Sequence, residues 1–486
     1  AMQNPDWTSP TTRFRPILLV AGTSAIVLTL EVIAGRMMAP YVGVSQETFT
    51  GVIGTILAGI AAGASIGGRL ADSRDPRTLI GPALALGGLL SWLTLPIVRV
   101  LGPAVGTSPF GIVILAAGGF LPPALVLSSV APMVSKLELS SLDESGSVVG
   151  RISAAGTVGA LVGTFVTGYV LVATMSTQWI VILIGAIAIL TGVALIARGG
   201  TRPVSNGAAV ALLVVPALGA ATARPPCDRE SAYFCIRVER DAERTSGRSL
   251  ILDRTRHAYV DLDDPKHLEL RYTRLIADVI NATGSGRLDS LHLGGGGFTL
   301  PAYLAATRPG SSNVVLEIDP ELVDVARDDL GLDPGVATVR VGDARTAFSD
   351  IGGDGYDIVV GDAFASTSVP WHLTTVETMD EIARVLRPGG LYVMNVIDGG
   401  ANRYARAQLS TLAARFDHVA AIQPTGGVPT DQRVNQILIA SDRPIATPAI
   451  RPGDGVFVPE DEIGDLINGA PPLTDDFAPV DQLLLR

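Results

Sequence analysis

The stretch LHLGGGGFTLP, Leu291 to Pro301, decides how the second half of this chain is read. An apolar run with the look of a strand meets four glycines and then a segment with helical spacing. Glycine lets a backbone turn sharply and approach a ligand closely, and the first N–H groups of the helix that follows are free to bind polar or anionic atoms. Strand, glycine turn and helix in that order form a cradle for a nucleotide-like ligand. A glycine loop alone is a weak signal, so its surroundings must carry the reading.

The surroundings repeat the pattern. From Ser249 onward the chain alternates short apolar runs with helical ones: SLHLGGGG, then TLPAYLAAT; NVVLEID, then PELVDVARDDLG; ATVRVGDA, YDIVVGDA, then TTVETMDEIARVL and GLYVMNVID. Apolar strands alternating with helices predict a parallel sheet covered on both faces, with ligands beyond the carboxyl ends of its strands. Acidic residues fall at those ends. Glu317 follows Gly297 by 20 residues, the spacing at which a carboxylate accepts hydrogen bonds from ribose hydroxyls. Asp343 ends the next strand, where it can meet an adenine amino group, and Asp362 ends the one after, beside the space where a substrate would react. The expected ligand-binding set is Gly294, Gly295, Gly296, Gly297, Glu317, Asp319, Asp343 and Ala344.

Charge divides the chain. Residues 1–225 hold 12 Lys and Arg against 8 Asp and Glu, formally +4; residues 226–486 hold the other 24 against 39, formally −15. An acidic second half argues against a nucleic-acid partner, since phosphate binding needs clustered cations. The first half has seven apolar runs near the length of a bilayer crossing, about 16–38, 48–71, 78–101, 109–134, 152–174, 178–197 and 205–223. The last, with Pro216 inside it, is the weakest. Lys and Arg cluster before the first span and in alternate loops, placing the N-terminus inside. Seven spans then put the acidic half outside, and six put it inside. Cys227 and Cys235, the chain's two cysteines, fit either a disulfide in an oxidising compartment or two reduced thiols. Small residues at four-residue spacing, Gly59, Gly63 and Gly67 and then Gly159 and Gly163, suit close helix packing. Glu31 and Arg36, ionisable groups in the first span, read equally as a structural ion pair or as part of a binding surface.

The expected organisation is an N-terminal tail (1–15), a multi-pass α-helical membrane domain (16–224), a small β-hairpin region (225–270) and an α/β Rossmann-like methyltransferase-type domain (271–486). Over about 249–400 the residues resemble spermidine synthases, the polyamine aminopropyltransferases, through LILD, GGGG, VVLEIDPELVDVAR, VGDA, YDIVVGDAF and VLRPGG. The chain is similar to the membrane-fused branch of that family. The resemblance implies transfer of an aminopropyl group from decarboxylated S-adenosylmethionine to an amine, with Glu317 on the ribose, Asp343 on the adenine and Asp362 deprotonating the amine. It leaves S-adenosylmethionine itself open as the donor. The implied partners are a small-molecule amine or a membrane-borne substrate, the lipid bilayer and, as an open option, a second copy of the chain.

Departures from the family pattern are specific. The aspartate of the family's glycine loop is replaced by Gly297, followed by Phe298, and the loop after Asp362 reads AFASTSVPWHL without a second aspartate. Around the expected site stand His257 and His372 as further acid-base candidates, with Arg256, Tyr259, Tyr272 and Glu377 as substrate-binding candidates. No Cys/His spacing suits a metal, so none is expected. Three functions stay open: an aminopropyltransferase, a methyltransferase or donor-free lyase or cyclase acting on a lipid-borne or extracytoplasmic substrate, and a non-catalytic binding protein.

Overall fold

A computed structural model describes residues 10–106, 108–139, 145–198, 226–364 and 369–484. Two compact units divide the chain, Ala1–Cys235 and Ile236–Arg486.

The first unit is helical. Among the described residues six helices are long and apolar enough to cross a membrane: Pro16–Val42, Gln46–Ser73, Pro76–Ala104, Pro109–Glu138, Ser145–Thr174 and Thr177–Arg198. The seventh candidate, 205–223, lies outside the described residues. The glycine rows do what their spacing predicts. Gly63 and Gly67 lie against the backbone of Leu125 and Ser129, and Gly159 and Gly163 against that of Ala21 and Ala25, at separations that leave no room for a Cβ. Lipid supplies no hydrophobic drive between helices, so such close backbone approach is how helices of this composition associate. Large apolar side chains point outward instead, Phe165 55% and Leu190 64% exposed. Arg36 forms a structural ion pair, with a partner other than Glu31. It reaches Glu230 in the short strand β1 (Arg229–Glu230) at 3.1 Å and donates to the carbonyls of Ala232, at 2.6 Å, and Ser231. Glu230 also accepts from the Thr177 backbone N–H at 3.2 Å, and a Cys227–Cys235 disulfide closes the segment.

The second unit begins with an antiparallel meander of β2 (Cys235–Arg240), β3 (Gly247–Leu252) and β4 (Thr255–Asp261). A mixed eight-stranded sheet follows, in the order β12-β10-β11-β9-β8-β5-β6-β7. Its strands are β5 (Asp289–Leu293), β6 (Ser312–Glu317), β7 (Thr338–Val341), β8 (Tyr356–Gly361), β9 (Leu386–Gly399), β10 (His418–Gln423), β11 (Arg433–Ser441) and β12 (Val456–Val458). Strands β7, β6, β5, β8 and β9 run parallel, while β9–β11, β11–β10 and β10–β12 pair antiparallel. The parallel sheet expected from the alternation is therefore one end, β9-β8-β5-β6-β7, of a mixed sheet. After β5 the chain moves to β6 and β7 on one side and to β8 and β9 on the other. The switch point lies between β5 and β8, where Leu293 registers with Gly361, and such crevices are where open α/β sheets bind ligands. Apolar clusters cover both faces, one around Leu291, Val359, Tyr392 and Leu438, the other around Ile276, Leu304, Val360 and Ile437. This rigid sheet fixes the two strand ends that make the site.

Candidate active site

The glycine loop and Asp362 leave adjacent strands together. The Asp362 N–H donates to the Leu293 carbonyl at 3.0 Å, and the Gly294 N–H to the Leu316 carbonyl at 2.9 Å. Gly294 has φ +92°, a conformation that side chains resist, and a Cβ there would press on the Asp362 backbone. The loop then turns into the helix Thr299–Thr307 through Phe298, which sits at φ 56° with its ring buried against Gly295. A Cβ on Gly296 would meet nothing within 4 Å, so this part of the loop faces open space.

That space is a cleft of about 350 Å³ lined by the loop, Arg256, His257, Arg271, Tyr272, Asp362, Asn395, Arg433 and Asn435, among others. Asp362 is the carboxylate among its lining residues. It accepts a hydrogen bond from Asn395 Nδ2 at 2.9 Å and one from the Tyr272 hydroxyl. Asn395 in turn accepts from Asn435 Nδ2 at 3.0 Å, and Arg271 donates to the Asn435 carbonyl at 3.3 Å. Burial dominates the titration of Asp362. Its pKa rises from the usual 3.8 to about 6, with the Asn395 and Tyr272 hydrogen bonds holding it back. A carboxylate tuned in this way is ionised at neutral pH yet basic enough to take a proton.

His257 shares the cleft. Burial lowers its pKa to about 4, so the ring is neutral at physiological pH. Its carbonyl lies 3.2 Å from the Tyr272 hydroxyl. Arg256 lines the wall and lies over the Tyr259 ring at 4.9 Å. Tyr259 itself is buried, with its hydroxyl donated to Asp241 at 2.8 Å, which commits it to the meander and not to the cleft. Gly297 faces β4. A Cβ there would come within 2.7 Å of the Ala258 Cβ and 3.2 Å of Val260 Cγ2. The position that holds the family's loop aspartate therefore has no room for a side chain.

The other expected residues gather elsewhere. Glu317, at the end of β6 and only 5% exposed, accepts from the Gly295 N–H at 2.7 Å and the Asp319 N–H at 3.0 Å, and its pKa is raised chiefly by burial. It props the glycine loop from below. Asp319 is buried and caps the helix Pro320–Asp329 through the Glu321 N–H at 3.1 Å. Asp343 caps the single turn that starts at the buried Ala344, accepting from the Thr346 N–H at 3.0 Å, and its second oxygen meets His372 Nε2 at 2.8 Å. Glu377 accepts from the Asp475 N–H at 3.0 Å, and Asp475 pairs with Arg345 at 2.8 Å. His372 and Glu377 thus belong to the surroundings of Asp343, not to the lining of the Asp362 cleft. Sequence reasoning missed Asn395, Asn435, Arg271 and Arg433. Asn395 did leave a signal, a polar residue inside the apolar run LYVMNVI, whereas Asn435 stands beside Gln436 and close to Arg433 in β11 and left none.

Comparisons with known proteins agree with this architecture. A family model described as a methyltransferase domain matches residues 291–394, from β5 into β9. The polyamine aminopropyltransferase of Vibrio vulnificus is 33% identical over 141 residues, 28% of this chain and 46% of that protein, so the chain spans about half the length of the curated relative it matches. Among solved structures, a probable spermidine synthase from Corynebacterium glutamicum is 28% identical, with a TM-score of 0.48, covering 51% of this chain and 95% of that one. Human methyltransferase-like protein 13, solved in complex with SAH, is 19% identical, with a TM-score of 0.32, covering 44% of this chain and 100% of that one. The curated likeness and the methyltransferase-domain match fit a spermidine synthase-like family.

Proposed function

We propose that the soluble unit transfers an aminopropyl group from an adenosyl sulfonium donor to an amine, with Asp362 as the base. The observation that carries this reading is a half-buried carboxylate at the β5/β8 switch point, titrating near 6, with its oxygens fixed by Asn395 and Tyr272 and a cleft above it. The donor supplies an electrophilic carbon bonded to a positively charged sulfur. Open space over Gly296 and the acidic end of β6 suit its nucleoside part. An amine attacks only when neutral, and an ammonium that reaches Asp362 can give up its proton there. The new C–N bond takes the nitrogen lone pair, the C–S bond breaks with its electrons to sulfur, and a neutral thioether leaves without assistance. Tyr272 and Asn395 hold the carboxylate in place but give up no proton in this scheme.

The test is the thioether released by the full chain in detergent. Methylthioadenosine from the decarboxylated donor, lost in Asp362→Asn, supports aminopropyl transfer. The closed position at Gly297 favours a second reading, methyl transfer from S-adenosylmethionine, because the family's loop aspartate is missing. Release of S-adenosylhomocysteine would select that one. Ligand binding that survives in a chain releasing neither product would point to a non-catalytic binding protein.

We also propose that the helical unit spans the membrane and that the chain between the units lies on the oxidising side. Six apolar helices with outward apolar side chains support the first part, and the Cys227–Cys235 disulfide supports the second, which with the N-terminus inside calls for seven crossings. Maleimide labelling of both cysteines in intact cells without a reductant would sink it.

A further inference from the structure

The cleft over Asp362 carries the wrong charge for a diamine. Its lining has one carboxylate, Asp362, and three arginines, Arg256, Arg271 and Arg433. The two lining histidines are neutral, burial having lowered His257 to about 4 and His292 to about 3. Three arginines against one carboxylate make the wall formally +2 at neutral pH. Among the described residues, the hydrogen bonds and ring contacts of the arginines are to uncharged groups: Arg271 to the Asn435 carbonyl, Arg433 to the Leu484 carbonyl, Arg256 over the Tyr259 ring.

The acids that feel these arginines lie outside the lining and are committed elsewhere. Asp241 accepts from Tyr259, Asp398 from the Gly399 and Ala405 N–H groups, and Asp454 pairs with Arg274 at 2.8 Å. No second carboxylate can enter at Gly297, which β4 closes. A diamine brings two positive charges, and its far ammonium would face arginines. Like charges repel more strongly beside protein than in open water.

Resting on the transfer reading above, we infer that the amine entering this cleft carries a carboxylate where a polyamine would carry its second ammonium. The amine sits at Asp362 and Asn395, and the carboxylate reaches Arg271, with Arg256 and Arg433 at the mouth. Arg271 is the anchor because it stands at the far end of the hydrogen-bond chain that runs through Asn435 and Asn395 to Asp362. Its planar guanidinium grips a carboxylate in two places, which an ammonium cannot. Two sources offer this chemistry, a free amino-carboxylate acceptor and the amino-acid end of an S-adenosylmethionine donor.

Calorimetry on the full chain in detergent tests it with four probes: putrescine, 4-aminobutanoate, S-adenosylmethionine and its decarboxylated form. The expected result is a preference of at least about tenfold for the carboxylate member of one pair, the size of one charge-assisted hydrogen bond. Arg271→Gln should abolish the preference and Arg271→Glu should reverse it. The pair that responds names the source. If Arg271 variants do not fold, as read from their thermal transitions, Arg256→Gln and Arg433→Gln carry the same comparison. A preference for the carboxylate-free member in both pairs, a ratio unmoved by the arginine variants, or no binding of any probe overturns the inference. Binding is read without turnover, so an absence of released thioether would sink the transfer reading alone. A preference for putrescine and for the decarboxylated donor with thioether release intact would sink this inference alone.

Discussion

Asp362 and Asp343 are the same residue type at the same kind of place, just past the carboxyl end of a parallel strand, and their surroundings give them opposite characters. Asp343 is spent. One oxygen caps a helical turn and the other meets His372 in a partly exposed setting. Asp362 is held by neutral donors in a buried cleft, which raises its pKa to about 6. The comparison teaches that strand-end position assigns a carboxylate to the ligand crevice, while burial and partners decide whether it holds or reacts.

The sharpest way to break the comparison is to remove the reactive carboxylate. Asp362→Asn should cut the transfer rate by about a thousandfold, within the range a positioned base supplies. The same variant should change the pH dependence of stability. A carboxyl whose folded pKa is raised binds its proton more tightly in the folded state. That contribution is complete below the unfolded value near 3.8 and is lost as pH rises through about 6. Melting temperature of the wild type should therefore fall across this window through Asp362, and Asp362→Asn should lose that slope. An unaltered rate in Asp362→Asn would refute the role assigned to it.

A second test concerns the closed position. Gly297→Asp restores the family's residue, but its Cβ meets Ala258 and Val260. We expect a loss of about 1–3 kcal/mol, the cost of overpacking, and no gain in putrescine binding. Ala258→Gly in the same chain should recover part of the loss. Chemical denaturation of the four combinations measures it, and a fully stable Gly297→Asp chain would show that β4 yields.

Much of this frame was legible in the sequence because it is local. The loop at Gly294–Gly297 and the strand-helix alternation that set Glu317, Asp343 and Asp362 at strand ends are patterns within a few dozen residues. The six apolar helices were equally plain from length and composition. What pairs across the sheet was not. Strand β11 arrives beside β9 antiparallel, from 40 residues away, and sets Asn435 against Asn395. Register with β8 then delivers Asn395 to Asp362, one step beyond the pair Gly361–Met394. Nothing in the spacing of single residues encodes that meeting. The grouping of His372 and Glu377 around Asp343, and the turn of Tyr259 away to Asp241, are likewise long-range outcomes.

That asparagine relay offers a finer test. Asn395 donates to the charged form of Asp362 and so lowers its pKa against the pull of burial. Asn395→Leu removes the donor, and the inflection in the rate-against-pH profile should move upward from about 6. The rate at high pH should change much less than the position of the inflection. A purely structural role would depress the rate at every pH and leave the inflection where it was.

The smallest expected effect lies on the other side of the comparison. Asp343→Ala should cost about 1 kcal/mol in stability, the usual price of losing a helix cap. It should leave the inflection near 6 untouched, since Asp343 does not line the cleft of Asp362. Asp343→Asn keeps an oxygen for the Thr346 N–H and should recover most of the stability, while losing the ionic part of the contact with His372. If adenine recognition also falls to Asp343, both variants should weaken donor binding, because each alters the acceptor that an amino group would meet. Weakened binding in Asp343→Ala alone would trace the effect to the cap and the shape of the turn. The two strand ends would then divide their labour completely, with one carboxylate for chemistry and the other for architecture.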